Sequence, residues 1–211
     1  KLRYVSRGGL KLEKALKEFN IKIEGKTCLD IGSSTGGFTD VMLQNGAKLV
    51  YALDVGTNQL AWKIRSDERV VVMEQFNFRN ALLSDFEQGR QAFTSIDVSF
   101  ISLELILPPL YEILEEGGEV AALIKPQFEA GREQVGKNGI IRDPKVHKMT
   151  IEKVLAAATR LGFSIKGLTF SPIKGGAGNV EFLVHLLKDE KAEISQQINI
   201  ESVLQEESEE L

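Results

Sequence analysis

Short apolar runs and helix-like stretches take turns along most of the chain. Runs of strand length occur at Thr27–Ile31, Leu49–Asp54, Val70–Met73, Ser95–Ser99, Glu119–Ile124, Ser164–Phe170 and Val180–Leu187. Between the first six, helical spacing of apolar residues falls near Gly37–Asn45, Gln59–Arg65, Asn80–Asp85, Leu103–Leu114 and Pro144–Leu161. Ahead of them, Leu10, Leu12, Ala15, Leu16 and Phe19 predict an amphipathic helix that starts at Ser6, a candidate N-cap, and ends near Asn20. Strand and helix in alternation predict a mostly parallel sheet with helices on both faces. The last two runs are joined only by SPIKGGAGN, too short for a crossover helix, so they are expected to pair as an antiparallel hairpin.

That ending separates the chain from nicotinamide dehydrogenases. An α/β sheet of seven mostly parallel strands with an antiparallel last strand and helices on both faces is the class I, Rossmann-like methyltransferase fold. The organisation read from the pattern is a basic N-terminal helix (1–26), a methyltransferase domain (27–188) and an acidic tail (189–211). The tail lacks aromatics and is expected to be a frayed helix or disordered. With 43% hydrophobic and 27% charged residues among 211, composition adds only that a sizeable core can form. No apolar run approaches the roughly 18 residues that span a bilayer, and the N-terminus has no signal-like apolar core. Cys28 is the only cysteine; it excludes an internal disulfide, fits a reducing cytoplasm, and in TCLDI reads as a core residue.

Charge changes the picture more. Net charge is −4, but residues 1–27 carry eight Lys/Arg against three Asp/Glu, and residues 188–211 carry two Lys against eight acids. A basic end on an acidic body suggests a face for a polyanion, with Arg3, Arg7 and Lys14 as its cations; a solvated helix face reads equally well. Arg132, Lys137 and Arg142 in the polar loop Gln127–Asp143 are candidate phosphate contacts, or a solvated loop.

The stretch LDIGSSTGGFTD closes the first strand, where open α/β sheets bind ligands. Gly32, Gly36 and Gly37, with Ser33, Ser34 and Phe38 among them, are candidates to let backbone approach a ligand. About twenty residues on, Asp54 ends the second strand and suits a ribose diol. The spacing is G-x-x-x-G-G rather than G-x-G-x-x-G, and Asp30 precedes the first glycine. An acid there disfavours a pyrophosphate and suits the cationic end of S-adenosylmethionine. After the third strand, Phe76, Asn77 and Phe78 are placed to pack on or bond an adenine, or simply to pack the loop.

The fourth strand leads to Asp97 in IDVSFISL, at the cofactor's reactive end. The Asn/Asp-Pro-Pro-Tyr/Phe motif of amine methyltransferases is absent here, as is a catalytic cysteine of the pyrimidine-C5 kind. Ionisable groups converge on the same edge instead: Lys125 ends the fifth strand in LIKPQFE, Glu181 opens the last in GNVEFL, and Lys11 lies on the first helix. A lysine at a strand end can equally snorkel to the surface. His147 and His185 have no clustered ligand residues and read as structural; no metal is called for.

RGGLKL, LDIGSSTGGFTD, ALDVGTNQLAWKIR, IDVSFISL, LIKPQFE and GNVEFL, in order from about Tyr4 to Leu187, resemble the TlyA family, often called hemolysins and related to the FtsJ/RrmJ ribose methyltransferases. The resemblance implies a 2′-O-methyltransferase of cytidine in ribosomal RNA, with Lys11, Asp97, Lys125 and Glu181 as its Lys-Asp-Lys-Glu tetrad and ribosomal RNA or subunits as partner. Lys125 would be base or hydroxyl-steering group, Asp97 and Glu181 would orient it, and Lys11 would place the nucleotide. Family members carry an S4-type RNA-binding module ahead of this domain; the chain starts without it, so a fragment with weakened RNA affinity is expected. Two other readings are an RNA- or ribosome-binding module without activity and a pore-forming hemolysin, which would need an apolar or basic amphipathic span not seen here.

Overall fold

A computed structural model describes residues 2–211; Lys1, counted above in the basic N-terminal stretch, lies outside them. Seven strands form one sheet: β1 Thr27–Ile31, β2 Leu49–Leu53, β3 Val70–Met73, β4 Phe93–Ile96, β5 Glu119–Ile124, β6 Phe163–Phe170 and β7 Phe182–Lys188. Their order is β3-β2-β1-β4-β5-β7-β6. Every pair is parallel except β5–β7 and β6–β7, so β7 alone runs against its neighbours. The hairpin inferred from the short SPIKGGAGN connection is there.

Helices α1 Gly9–Glu18, α2 Gly37–Gln44 and α3 Trp62–Arg65 cover one face, and α4 Leu103–Ile113 and α6 Pro144–Leu161 the other, after the single turn α5 Pro126–Glu129. The central strands are apolar on both faces and buried on both, as a helix-covered parallel sheet requires. One core layer gathers Leu12, Phe38, Val41 and Ile64 against Cys28 and Leu123; the other gathers Leu103, Ile106, Leu110 and Val154 against Leu29 and Phe163. Cys28 is a core residue, and burial pushes its thiol up to about 12.

Local signals explain the long helix. Asp143 caps α6 by accepting from the Lys145 amide at 2.9 Å, Pro144 occupies the first turn, and Gly162 ends the helix at φ 117°. Other expected boundaries move. The first helix begins at Gly9, not Ser6, and no side chain caps it. The fourth strand is Phe93–Ile96 rather than Ser95–Ser99: the Asp97 amide still donates to the Ile31 carbonyl at 2.9 Å, but Phe100 turns left-handed at φ 63° and breaks the extended run. Only Trp62–Arg65 of Gln59–Arg65 is α-helical, and Asn80–Asp85 becomes two 3-10 turns, Phe78–Asn80 and Leu83–Asp85. Glu181 lies just before β7, not within it.

The tail takes the helical one of its two expected forms, but docked rather than frayed. Residues Ile200–Glu210 form a helix, α7, packed on α6 and β6. Asn199 caps it from its side chain, Val203 is buried, Ile198, Ile200 and Leu204 pack on the core, and Lys148 meets Glu201 at 2.5 Å. The apolar spacing in INIESVL, hidden under the acidic composition, supplies the docking stripe.

Candidate active site

The carboxyl ends of β1, β2 and β4 surround a cavity of about 310 Å³. Gly32, Ser34, Asp54, Asn77 and Asp97 line it, with Phe76, Val98, Phe100 and Ile101 as apolar walls. Both the Gly32 and Ser33 amides donate to the Leu53 carbonyl at 2.9 Å, which fixes the loop across β2. Gly32 sits at φ 88°, and a Cβ there would lie 2.0 Å from the Asp97 carbonyl oxygen. The close approach that demands glycine is therefore by the chain itself. Asp54 accepts from the Ser34 amide at 2.7 Å and the Gly56 amide at 2.9 Å, joining the two loops that flank the cavity. Asn77 caps a 3-10 turn with its Oδ1, which accepts from the Arg79 amide at 3.0 Å, leaving its Nδ2 hydrogens uncommitted.

Five residues expected at the cofactor do not line the cavity. Asp30 is fully buried behind it, accepting from the Thr39 hydroxyl at 2.7 Å and more distantly from Ser95 at 3.4 Å. Burial, then the nearby Asp97 and Asp54 charges, push its carboxyl up to about 7, against the pull of the Thr39 and Ser95 hydroxyls. It cannot repel a pyrophosphate by contact, because it is buried and does not line the cavity. Ser33 is buried in the turn, and Phe38 packs in the core. Gly36 adjoins Leu60 and Ile64, and Gly37 adjoins Ser6 and the Gly9 amide, so these two glycines admit α3 and the start of α1. The glycine-rich stretch is mostly a packing device.

The four converging ionisable groups form two ion pairs. Lys125 Nζ lies 2.5 Å from Asp97 Oδ1 and donates to Ser99 Oγ at 3.3 Å. Lys11 Nζ lies 2.8 Å from Glu181 Oε1. Lys11, Lys125 and Glu181 are all buried, so Lys125 does not snorkel. Ile124 pairs with Phe182 across β5 and β7, which sets Lys125 and Glu181 at adjoining strand ends. Of the four, only Asp97 also lines the cavity, linking the pairs to the cofactor side.

Among the candidate RNA cations, two are engaged. Lys14 donates to the Phe170 carbonyl at 2.7 Å and sits over that ring; burial lowers its pKa. Arg3 is exposed but meets Glu13 at 2.8 Å. Arg7, Arg132 and Arg142 are exposed, with no side-chain partner among the described residues. His147 bonds the Ile141 carbonyl and His185 meets Glu119 at 2.6 Å while stacking on Phe19, which are structural roles. No group of three metal-ligating side chains occurs among the described residues, and no helix there is long and apolar enough to cross a membrane.

Sequence reasoning missed Phe100 and Gln127. Phe100 is 90% exposed at the cavity rim, left-handed, and packed on Phe128 with centroids 4.9 Å apart. It lies one residue past the expected strand Ser95–Ser99, and nothing local announces its turn outward. Gln127 donates to Glu181, a partner 54 positions away that no spacing reveals.

The residues fit S-adenosylmethionine. Asp54 keeps lone pairs for a ribose, Asn77 keeps its donors for a base, the apolar walls suit an adenine, and the Asp54 and Asp97 carboxylates that line the cavity suit a sulfonium. Sheet order and cavity together define a class I, S-adenosylmethionine-dependent methyltransferase. The chain belongs to the FtsJ-like methyltransferase family, whose sequence profile matches residues 4–188. It is 64% identical over 185 residues to YqxC of Bacillus subtilis, provisionally assigned as an rRNA methyltransferase, covering 88% of this chain and 66% of that one. It is 44% identical over 183 residues to TlyA of Mycobacterium tuberculosis, a 16S/23S rRNA (cytidine-2′-O)-methyltransferase, covering 87% and 68%. A crystal structure from Lactococcus lactis, provisionally called a hemolysin, superposes with a TM-score of 0.97 at 90% identity over 99% of this chain and all of that one. The chain thus spans about two thirds of the curated relatives' length.

Proposed function

We propose that the protein methylates the ribose 2′-hydroxyl of cytidine in ribosomal RNA, working on ribosomal subunits in the cytoplasm. The observation that carries this reading is the pair that buried Lys125 makes with Asp97, joined to the cofactor cavity through Asp97, with Lys11–Glu181 at the adjoining strand end. When bound, S-adenosylmethionine supplies an electrophilic methyl group. The chain's own residues then have three tasks. Asp54 and Asn77 hold the nucleoside portion of the cofactor. Lys125, oriented by Asp97, steers the ribose hydroxyl and takes its proton as the methyl group transfers. Lys11, fixed by Glu181, places the nucleotide. A hydroxyl attacking in line gains most from this positioning.

The exposed Phe100 offers an aromatic face to a base at the rim, and Arg7, Arg132 and Arg142 are free for phosphates. The relatives' names support ribosomal RNA as substrate. Their hemolysin label has no counterpart in a membrane-length helix among the described residues. The test is incubation of the natural protein with radiolabelled S-adenosylmethionine and separated ribosomal subunits, followed by nucleoside mapping. Label in 2′-O-methylcytidine is expected; label in a base, or none, would overturn the reading.

A further inference from the structure

Glu181 is 1% exposed, so each of its oxygens needs a partner within the protein. Lys11 satisfies Oε1 at 2.8 Å. Oε2 faces a different environment. Gly175, in the loop between β6 and β7, stands so close that a Cβ there would lie 1.8 Å from Oε2. That loop is held by Asn179, which accepts from the Ile141 amide at 3.0 Å and donates to the Gly139 carbonyl at 2.8 Å. With the loop packed over it, Oε2 has one donor among the described residues: Nε2 of Gln127, at 3.3 Å. Gln127 stands two residues after Lys125, in the single turn α5. Its own Oε1 is buried without a partner, so the amide spends no second bond to hold itself in place.

We propose that Gln127 is a positioning residue for methyl transfer, setting the Glu181 carboxylate so that Lys11 presents its ammonium to the nucleotide. The inference rests on the ribose-methylation reading above. Because Lys125 and Gln127 share one turn, one backbone segment governs both ion pairs. Gln127 does not line the cofactor cavity, and its hydrogen bond reaches the site through Glu181 and Lys11.

The test replaces Gln127 in the natural full-length protein by Glu and by Ala. Gln127→Glu keeps the shape but sets a second carboxyl against Glu181. Like charges that close share a proton at low pH and repel when both ionise. Lys11 from α1 meets that pair directly, while the other charged groups on the adjoining elements are Lys125 at the end of β5, itself paired with Asp97 after β4, Lys174 in the β6–β7 loop and Glu129 on α5. Glu129 is turned away, accepting from Ser102 and the Leu103 amide.

Methylation of ribosomal subunits is measured from about pH 6 to pH 9, with S-adenosylhomocysteine affinity and melting temperature measured alongside. Gln127→Ala should lower kcat about tenfold to a hundredfold, the loss expected for a hydrogen bond to a charged group, at unchanged cofactor affinity. The kcat of Gln127→Glu relative to the native protein should fall about tenfold as pH rises, because the shared proton that replaces the amide donor is lost. A merely structural glutamine would lower the melting temperature and leave that ratio flat. Should the Glu variant not fold, the Ala variant decides alone: native kcat overturns the proposal. A flat ratio overturns it too, while native protein that places no 2′-O-methyl group overturns the ribose reading and this inference together.

Discussion

Replacing Asp30 by Asn should make the protein less sensitive to rising pH, by an amount the structure sets. Asp30 is 0% exposed and its carboxyl is pushed up to about 7 from 3.8. Between those values the unfolded chain has released the proton and the folded protein still holds it. Stability from this group is therefore complete below the unfolded value and lost as pH rises towards about 7. Asn mimics the protonated acid: its Oδ1 can accept from Thr39 while its amide faces Ser95. Relative to the native protein, Asp30→Asn should gain about 3 kcal/mol between pH 5 and pH 8. That is about 1.4 kcal/mol for each of the two units from 5 to 7. Urea unfolding at half-unit intervals of pH, with the difference between the two proteins plotted, isolates Asp30 from the other titrating groups. A difference that stays flat from pH 5 to 8 would show Asp30 ionised in the folded state throughout. The account of its burial, and of the negative field behind the cavity, would then be wrong.

Asp54→Ala removes the carboxylate at the end of β2 and should weaken S-adenosylhomocysteine binding about tenfold to a hundredfold by calorimetry; unchanged affinity would remove Asp54 from the cofactor site. Gly32→Ala forces a Cβ to within 2.0 Å of the Asp97 carbonyl at a left-handed φ, and should cost about 3 kcal/mol or more in urea unfolding. Native stability in that variant would mean the loop relaxes freely.

Much of this molecule is legible in its pattern, and what is not has physical causes. The alternation of runs yields the sheet, and the brevity of SPIKGGAGN yields its antiparallel strand, because both rest on local length and periodicity. The convergence of Asp97, Lys125 and Glu181 follows from strand ends sharing one edge, while Lys11 reaches it from α1. The tetrad's division into Lys125–Asp97 and Lys11–Glu181 does not, since that depends on side-chain reach across α1, β5 and β7. The glycine-rich stretch misleads in an instructive way. Gly36 and Gly37 answer to α3 and α1, and Asp30 to Thr39, because a tight turn beside a helix start must accommodate the protein before any ligand. Acidic composition likewise obscures α7, whose apolar stripe is only a few residues wide. Lys14 shows the limit of charge counting: its ammonium is held by Phe170, so a basic residue in a basic stretch is not thereby free for phosphate.

The central claim is that one set of residues holds the cofactor and another performs the transfer. The most direct measurement pairs two readings on Lys125→Ala: S-adenosylhomocysteine affinity, and the rate of 2′-O-methylcytidine formation on ribosomal subunits. The account predicts affinity close to that of the native protein with methyl transfer nearly abolished, because Lys125 lies outside the cavity lining and pairs with Asp97 at 2.5 Å on its substrate side. Full methylation by Lys125→Ala would contradict it.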